Sequence, residues 1–175
     1  MATPINTVNP GREEVAIVDE RNREIGRTGR AEMRAGRLIH RASYVLVFNS
    51  GGKLFVQRRT MTKDIYPGYY DVAAGGVVQA GESYEESARR ELYEELGIAG
   101  ELHRCFDHFH EGYDNRVWGR IFTCRHDGPM RLQEEEVAAG FFLDTALVLE
   151  MSVRQPFTPD GIEILRRCLP MLKND

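Results

Sequence analysis

Residues 81–97, GESYEESARRELYEELG, carry their own start and stop signals. Ser83 followed three residues later by Glu86 is a capping box, which puts the first helical residue at about Tyr84 and leaves Glu82 in the loop ahead of it. Gly97 supplies the stop, because glycine accepts the left-handed conformation that ends many helices. At about 100° per residue, Tyr84, Ala88, Leu92 and Leu96 form one apolar stripe, which demands a surface to pack against. Glu95 falls inside that stripe, roughly 20° from Ala88, while Glu91 lies on its edge and Glu94 further round on the same side. A merely solvated acidic helix would turn these carboxylates outward, as Glu85 and Glu86 are free to do.

A carboxylate held against an interior needs a partner, since burying an unpaired ion costs several kcal/mol even after relaxation. Arginines on the same helix offer one answer, through the (i, i+4) pairs Glu85 with Arg89 and Glu86 with Arg90, each contributing about 0.2 to 0.5 kcal/mol. They leave Glu91, Glu94 and Glu95 unexplained. These three are related by i, i+3 and i+4 steps, so their charges repel unless a divalent cation sits among them. Magnesium takes hard oxygen ligands and bridges to substrate phosphates. On spacing alone, a solvated charged face and a magnesium site both remain open.

The rest of the chain reads as one domain. At 175 residues with 42% hydrophobic and 29% charged residues it is long enough to bury a core without disulfides. Residues 1–13 are polar, with Pro4, Pro10 and Gly11, and are expected to form a flexible N-terminal tail ahead of a domain spanning 14–175. VAIVDERNREIG predicts two short strands joined at Glu20 to Asn22, and residues 29–36 a short helix. YVLVF (44–48) and KLFVQRR (53–59) predict strands joined by the hairpin connection NSGG. A second hairpin, turning near Asp114 and Asn115, precedes a strand at 137–143. Helices follow near 144–151 and 158–172, the last with Thr158 as cap and Pro159 at its first position. This order specifies a mixed α/β (α+β) domain.

Composition excludes several function classes. The net charge of −4 gives no overall attraction to nucleic acid. No apolar run approaches the roughly 20 residues that span a bilayer, and the N-terminus has no basic start followed by an apolar stretch. The expectation is a cytoplasmic protein with no membrane or nucleic-acid partner. Cys105, Cys124 and Cys168 are widely spaced and form no CxxC, so they read as buried thiols.

From Gly76 to Ile98 the chain runs GVVQAGESYEESARRELYEELGI. It resembles a complete Nudix box: Gly76, then Glu82, then Arg90-Glu91-Leu92, then Glu94-Glu95, then Gly97-Ile98. The resemblance plus the flanking strands implies a Nudix-type mixed β-sheet sandwiched between helices over residues 14–172. It also implies hydrolysis of a diphosphate linked to another moiety by water directed at phosphorus, with Mg²⁺ (Mn²⁺ as a substitute) held by the box. Carried over by position, Glu91 and Glu95 resemble the principal metal ligands, with Glu94 contributing directly or through water and the backbone carbonyl near Gly75 adding a further ligand. Glu82 is similar to the first glutamate of the box, which orients Arg90 or binds metal through water; Arg90 then holds the carboxylates in place. The general base resembles a glutamate from a loop beyond the box, and of Glu134, Glu135 and Glu136 the choice falls on Glu136. A homodimer is common among relatives.

Upstream, QRRTMTKDIYPGYYD supplies the cations Arg58, Arg59 and Lys63 for a diphosphate. Strand alternation lets only one of Arg58 and Arg59 point inward. This stretch resembles the Nudix branch that includes isopentenyl-diphosphate isomerase, where an Arg-Arg and Lys region grips a diphosphate. Where that enzyme has its catalytic cysteine and a metal-binding histidine, this chain has Gly75 and Val77. The resemblance therefore implies a hydrolase acting on a small-molecule diphosphate, such as a nucleoside diphosphate derivative, ahead of an isomerase or a non-catalytic diphosphate sensor. A sensor would carry an output domain, for which this length leaves no room.

Three further groupings weigh less. His103 and Cys105 face one side of a predicted strand and His108 and His110 the other, and a zinc site would need more ligands on one side. Tyr66, Tyr69, Tyr70 and Trp118 read as packing aromatics or as a stacking platform for a ring. His40 reads as a satisfied polar residue.

Overall fold

The computed structural model describes residues 13 to 172. The tail expected at residues 1–13 lies outside it except at Glu13, which is firmly held. The Glu13 carboxylate accepts from Arg30 Nη1 at 3.0 Å and from Gln79 Nε2 at 2.8 Å, and its carbonyl accepts from the Arg30 amide at 2.9 Å.

In chain order the elements are β1 (Glu14–Val18), β2 (Glu24–Gly29), α1 (Arg30–Ala35), β3 (His40–Phe48), β4 (Leu54–Arg59), β5 (Tyr70–Asp71), β6 (Ala74–Val77), α2 (Tyr84–Leu96), β7 (His103–Glu111), β8 (Arg116–Arg125), β9 (Val137–Leu143), α3 (Thr145–Met151) and α4 (Pro159–Leu172). β3 is central. It pairs with β8 in parallel along its whole length and with β6 antiparallel from Ala42 to Val45. The expected β3–β4 hairpin closes through Asn49, but the strands meet only at Phe48 and Leu54. β4 then diverges to pair with β9 and β5, because its apolar residues have better partners there. The two short strands β5 and β6, in the glycine-rich run before the box, gave no periodic signal.

Both faces of the sheet are covered, as the uninterrupted apolar run of β3 requires. Val45 and Val47 pack with Ala88, Leu92 and Leu96 of α2, whereas Leu46 between them packs with Ile164, Leu165 and Cys168 of α4 and Val148 of α3. The sheet is sandwiched between α2 and the C-terminal helices. α2 has the predicted ends. Ser83 Oγ accepts from the Glu86 amide at 3.2 Å, and the Glu86 carboxylate accepts from the Ser83 amide at 2.8 Å. Gly97 closes the helix in the left-handed region with φ of 67°. Tyr84, Ala88, Leu92 and Leu96 are all buried, and so is Glu95 at 2% exposure.

Candidate functional site

Glu95 projects from the packing face of α2 toward the ends of β4 and β6. Its Oε2 accepts from the Gly75 amide at 3.3 Å and from Gln57 Nε2 at 3.3 Å. Gln57 stands two residues after Phe55, on the face of β4 that meets α2, and its amide also donates to the Ala73 carbonyl at 3.1 Å. An amide directly following the apolar run Leu54–Val56 was the available signal for this residue, and sequence reading missed it.

Glu91 sits one turn earlier, pressed against the backbone of β6. A methyl group built on Gly76 would stand 2.6 Å from Glu91 Oε1, and one on Gly75 would overlap the Ser43 carbonyl. Both glycines are needed because the strand, the helix carboxylate and β3 crowd one place. Burial, reinforced by the charge of Glu95, pushes the Glu91 carboxyl up to about 7, with Arg90 acting in the opposite direction. Two adjoining, mostly buried carboxylates that disfavour each other's ionisation are chemically suited to a hard divalent cation.

Arg90 is the brace of the site. It donates from Nε to Glu82 Oε1 at 2.8 Å, from Nη2 to Glu82 Oε2 at 3.0 Å and from Nη1 to Glu91 Oε1 at 2.6 Å. The pairing of Arg90 with Glu86 expected from helix spacing does not form, because Glu86 is committed to the cap and Arg90 turns toward Glu82. Glu85 and Arg89 do pair, at 2.8 Å. Glu94 also departs from expectation: half exposed, it reaches Arg90 Nη1 at 3.4 Å and does not converge on one point with Glu91 and Glu95. Helical spacing put the three on one side, but the partial turn between them points Glu94 to the rim.

Glu91, Glu94, Gly75 and Gly76 line one part of a cavity of about 670 Å³. Lys63 enters it and forms ion pairs with Glu136 and, at 3.6 Å, with Glu95 Oε1. Of the three loop glutamates, Glu136 alone lines the cavity. Arg58 and Arg59 face opposite ways, as strand alternation requires. Arg59 points inward, donating to Asp71 Oδ2 at 3.3 Å and to the Ile65 carbonyl at 3.0 Å, while Arg58 is exposed. Burial raises the Asp71 carboxyl to about 6, with Arg59 pulling it down.

The structure adds two cations that the sequence gave no reason to choose. Arg30 and Arg34 on α1 line the same cavity and share Asp64, at 3.3 Å and 3.0 Å. Burial opposes ionisation of Asp64, but Arg34 and Arg30 together hold its carboxyl down at about 2. The opposite wall carries Tyr44, whose hydroxyl donates to Asp160 Oδ2 at 2.7 Å, and Tyr66. Of the aromatics singled out in the sequence, Tyr66 lines the cavity, whereas Tyr70 packs on Phe157 and Trp118 on Phe109. His40 is 2% exposed and in contact with the Leu38 carbonyl through Nδ1 at 3.1 Å.

A NUDIX domain matches residues 38–168. An uncharacterised Nudix hydrolase of Pseudomonas aeruginosa is 47% identical over 155 residues, covering 87% of this chain and 90% of that protein. The uncharacterised Nudix hydrolase YfcD of Escherichia coli is 48% identical over 153 residues, covering 86% of this chain and 83% of that protein. Among solved structures, DR0079 from Deinococcus radiodurans superposes with a TM-score of 0.77 at 27% identity, covering 89% of this chain and 99% of that one.

Proposed function

Because the chain belongs to the NUDIX family, we propose that it is a Mg²⁺-dependent hydrolase cleaving a diphosphate linkage in a nucleoside diphosphate derivative or a similar small molecule. One observation carries this reading: Glu91, braced by Arg90, lines the same cavity as Arg59, Lys63, Arg30 and Arg34, and the buried Glu95 behind it is ion-paired with Lys63 of that cavity. A cation-binding end and a phosphate-binding end thus share one enclosure.

Glu91 and Glu95 would hold the divalent ion, with Glu94 reaching it directly or through water and Glu82 acting through Arg90. When bound, such an ion neutralises phosphate oxygens and makes a water nucleophilic near neutral pH. Arg90 keeps Glu91 and Glu82 oriented by charge-assisted hydrogen bonds. Lys63 and Arg59 would offer donors to the diphosphate, and Glu136, once released from Lys63, would take the proton of the attacking water. Gly75 speaks against the isomerase alternative, because a cysteine there would drive its Cβ into the Ser43 carbonyl.

The test is a panel of nucleoside diphosphates, nucleoside diphosphate sugars, dinucleoside polyphosphates and isopentenyl diphosphate, assayed with Mg²⁺ or Mn²⁺ and with product identification. Hydrolysis of at least one compound, lost in Glu95→Gln and on chelation, is the expected result. No turnover above the Glu95→Gln background across the panel, or conversion of isopentenyl to dimethylallyl diphosphate, would overturn it.

A further inference from the structure

The two histidines of β7 that share a face find their missing partner on α4. Glu163 Oε2 lies 3.0 Å from His108 Nε2 and 2.8 Å from His110 Nδ1. One ligand atom from each of the three residues falls within 4.8 Å of the others, a spacing that no other trio of His, Cys, Asp and Glu among the described residues meets. None of the three lines the cavity of about 670 Å³ described above. Sequence reading stopped at two ligands because the third is 53 residues further along the chain.

We propose that His108, His110 and Glu163 form a second metal site, separate from the Nudix box, for a late first-row divalent ion of the zinc class. Two imidazoles and one carboxylate are ligands for such ions, whereas magnesium prefers oxygen throughout. Neighbouring ligands of an ion with bonds of about 2.0 to 2.2 Å stand roughly 3 Å apart, the spacing already present between Glu163 and each ring. The Glu163 side chain is 48% exposed, so further coordination positions face water, while His110 is 5% exposed. His110 turns Nδ1 toward Glu163, whereas Nε2, buried with no partner, faces Gly112 on the other side of the ring.

Arg167 works against the ion. Its Nη1 stands 3.4 Å from His108 Nδ1. A guanidinium can only donate, so this contact favours the proton on His108 Nε2, the atom that would bind metal. The same Nη1 also donates to the Asp107 carbonyl at 3.2 Å, and the side chain stacks over Phe106 at 4.4 Å. Arg167 can therefore keep its other contacts while releasing His108. An ion at this site would fasten α4 to β7 one turn from Asp160, the helix residue that reaches the cavity wall.

The test uses the full chain, stripped with chelator and dialysed against Zn²⁺ in the presence of millimolar Mg²⁺, with metal content and thermal unfolding as readouts. The expected result is one zinc retained per chain and a raised melting temperature. Glu163→Gln and His108→Gln should bind at least about tenfold more weakly, while the Glu91→Gln/Glu95→Gln double variant retains zinc. Arg167→Ala should bind more tightly, by up to about tenfold, which a loss of fold could not mimic. Zinc retention that is absent in the wild type, unchanged in Glu163→Gln and His108→Gln, or abolished by the box double variant would overturn the proposal. Because the readout is binding, a failed substrate panel leaves it standing.

Discussion

Arg90 grips Glu82 with one edge of its guanidinium, Nε to Oε1 at 2.8 Å and Nη2 to Oε2 at 3.0 Å, so the first glutamate of the box is tied to the helix that carries the others. Lysine at position 90 keeps the charge but cannot form this fork and also meet Glu91. Arg90→Lys is expected to lower kcat/KM by about tenfold or more while costing about 1 kcal/mol of stability, a small figure because the pair is partly exposed. Urea denaturation alongside steady-state kinetics separates the two effects; equal activity in the variant would show that Glu91 needs no brace.

Gly76 is required by contact. Its missing Cβ leaves room for Glu91 Oε1, which would otherwise stand 2.6 Å away. Gly76→Ala should displace that carboxylate, weakening Mn²⁺ or Mg²⁺ binding by about tenfold or more and costing about 1 to 3 kcal/mol through overpacking. Titration calorimetry on the variant checks the first effect and thermal unfolding the second.

The sequence displayed the Nudix-box end of the candidate site and hid much of the rest, for a physical reason. Ser83, Glu86 and Gly97 act within a few residues of chain, so the helix and the inward turn of Glu95 follow from local rules. Gln57, Arg30, Arg34 and Asp64 become neighbours of the site only after β4 leaves β3 for β9 and α1 folds over the cavity. No periodicity reports such meetings. Glu94 shows the converse: spacing put it beside Glu91 and Glu95, but a side chain near the edge of a helix stripe is free to follow Arg90 outward.

Arg58 and Arg59, adjacent in sequence, should behave as opposites. Arg58→Met, at an exposed position, should change KM less than twofold and stability by less than about 0.5 kcal/mol. Arg59→Met should raise KM by about tenfold or more and leave Asp71 buried without its partner. Burial already raises the Asp71 carboxyl to about 6, so below that pH it is neutral and does not need the arginine. The stability deficit of Arg59→Met, about 1 to 3 kcal/mol at pH 8, should therefore shrink at pH 5. Equal deficits at both pH values would sink this account of Asp71.

His40 sets the acid limit in the opposite sense. Burial is the main cause, and the nearby Arg34 charge adds to it, in pushing its imidazole down to about 3 from the usual 6.5. The folded protein holds this ring neutral while the unfolded chain protonates it, so stability falls as pH drops from about 6.5 toward 3. A single group of this kind contributes a slope approaching about 1.4 kcal/mol per pH unit within that window. Glu91 and Asp71 act against it, because their raised carboxyl values mean that the folded state takes up protons first and gains stability as pH falls from about 7 toward 4. The wild-type profile between pH 7 and 4 is then a partial cancellation. His40→Gln removes one side of it: less stable than wild type at pH 7.5, the variant should close that gap by about 1 kcal/mol for each unit below 6.5. Guanidinium unfolding at pH 7.5, 6, 5 and 4 measures the gap, and a constant difference across the series would mean that His40 is protonated in the folded state.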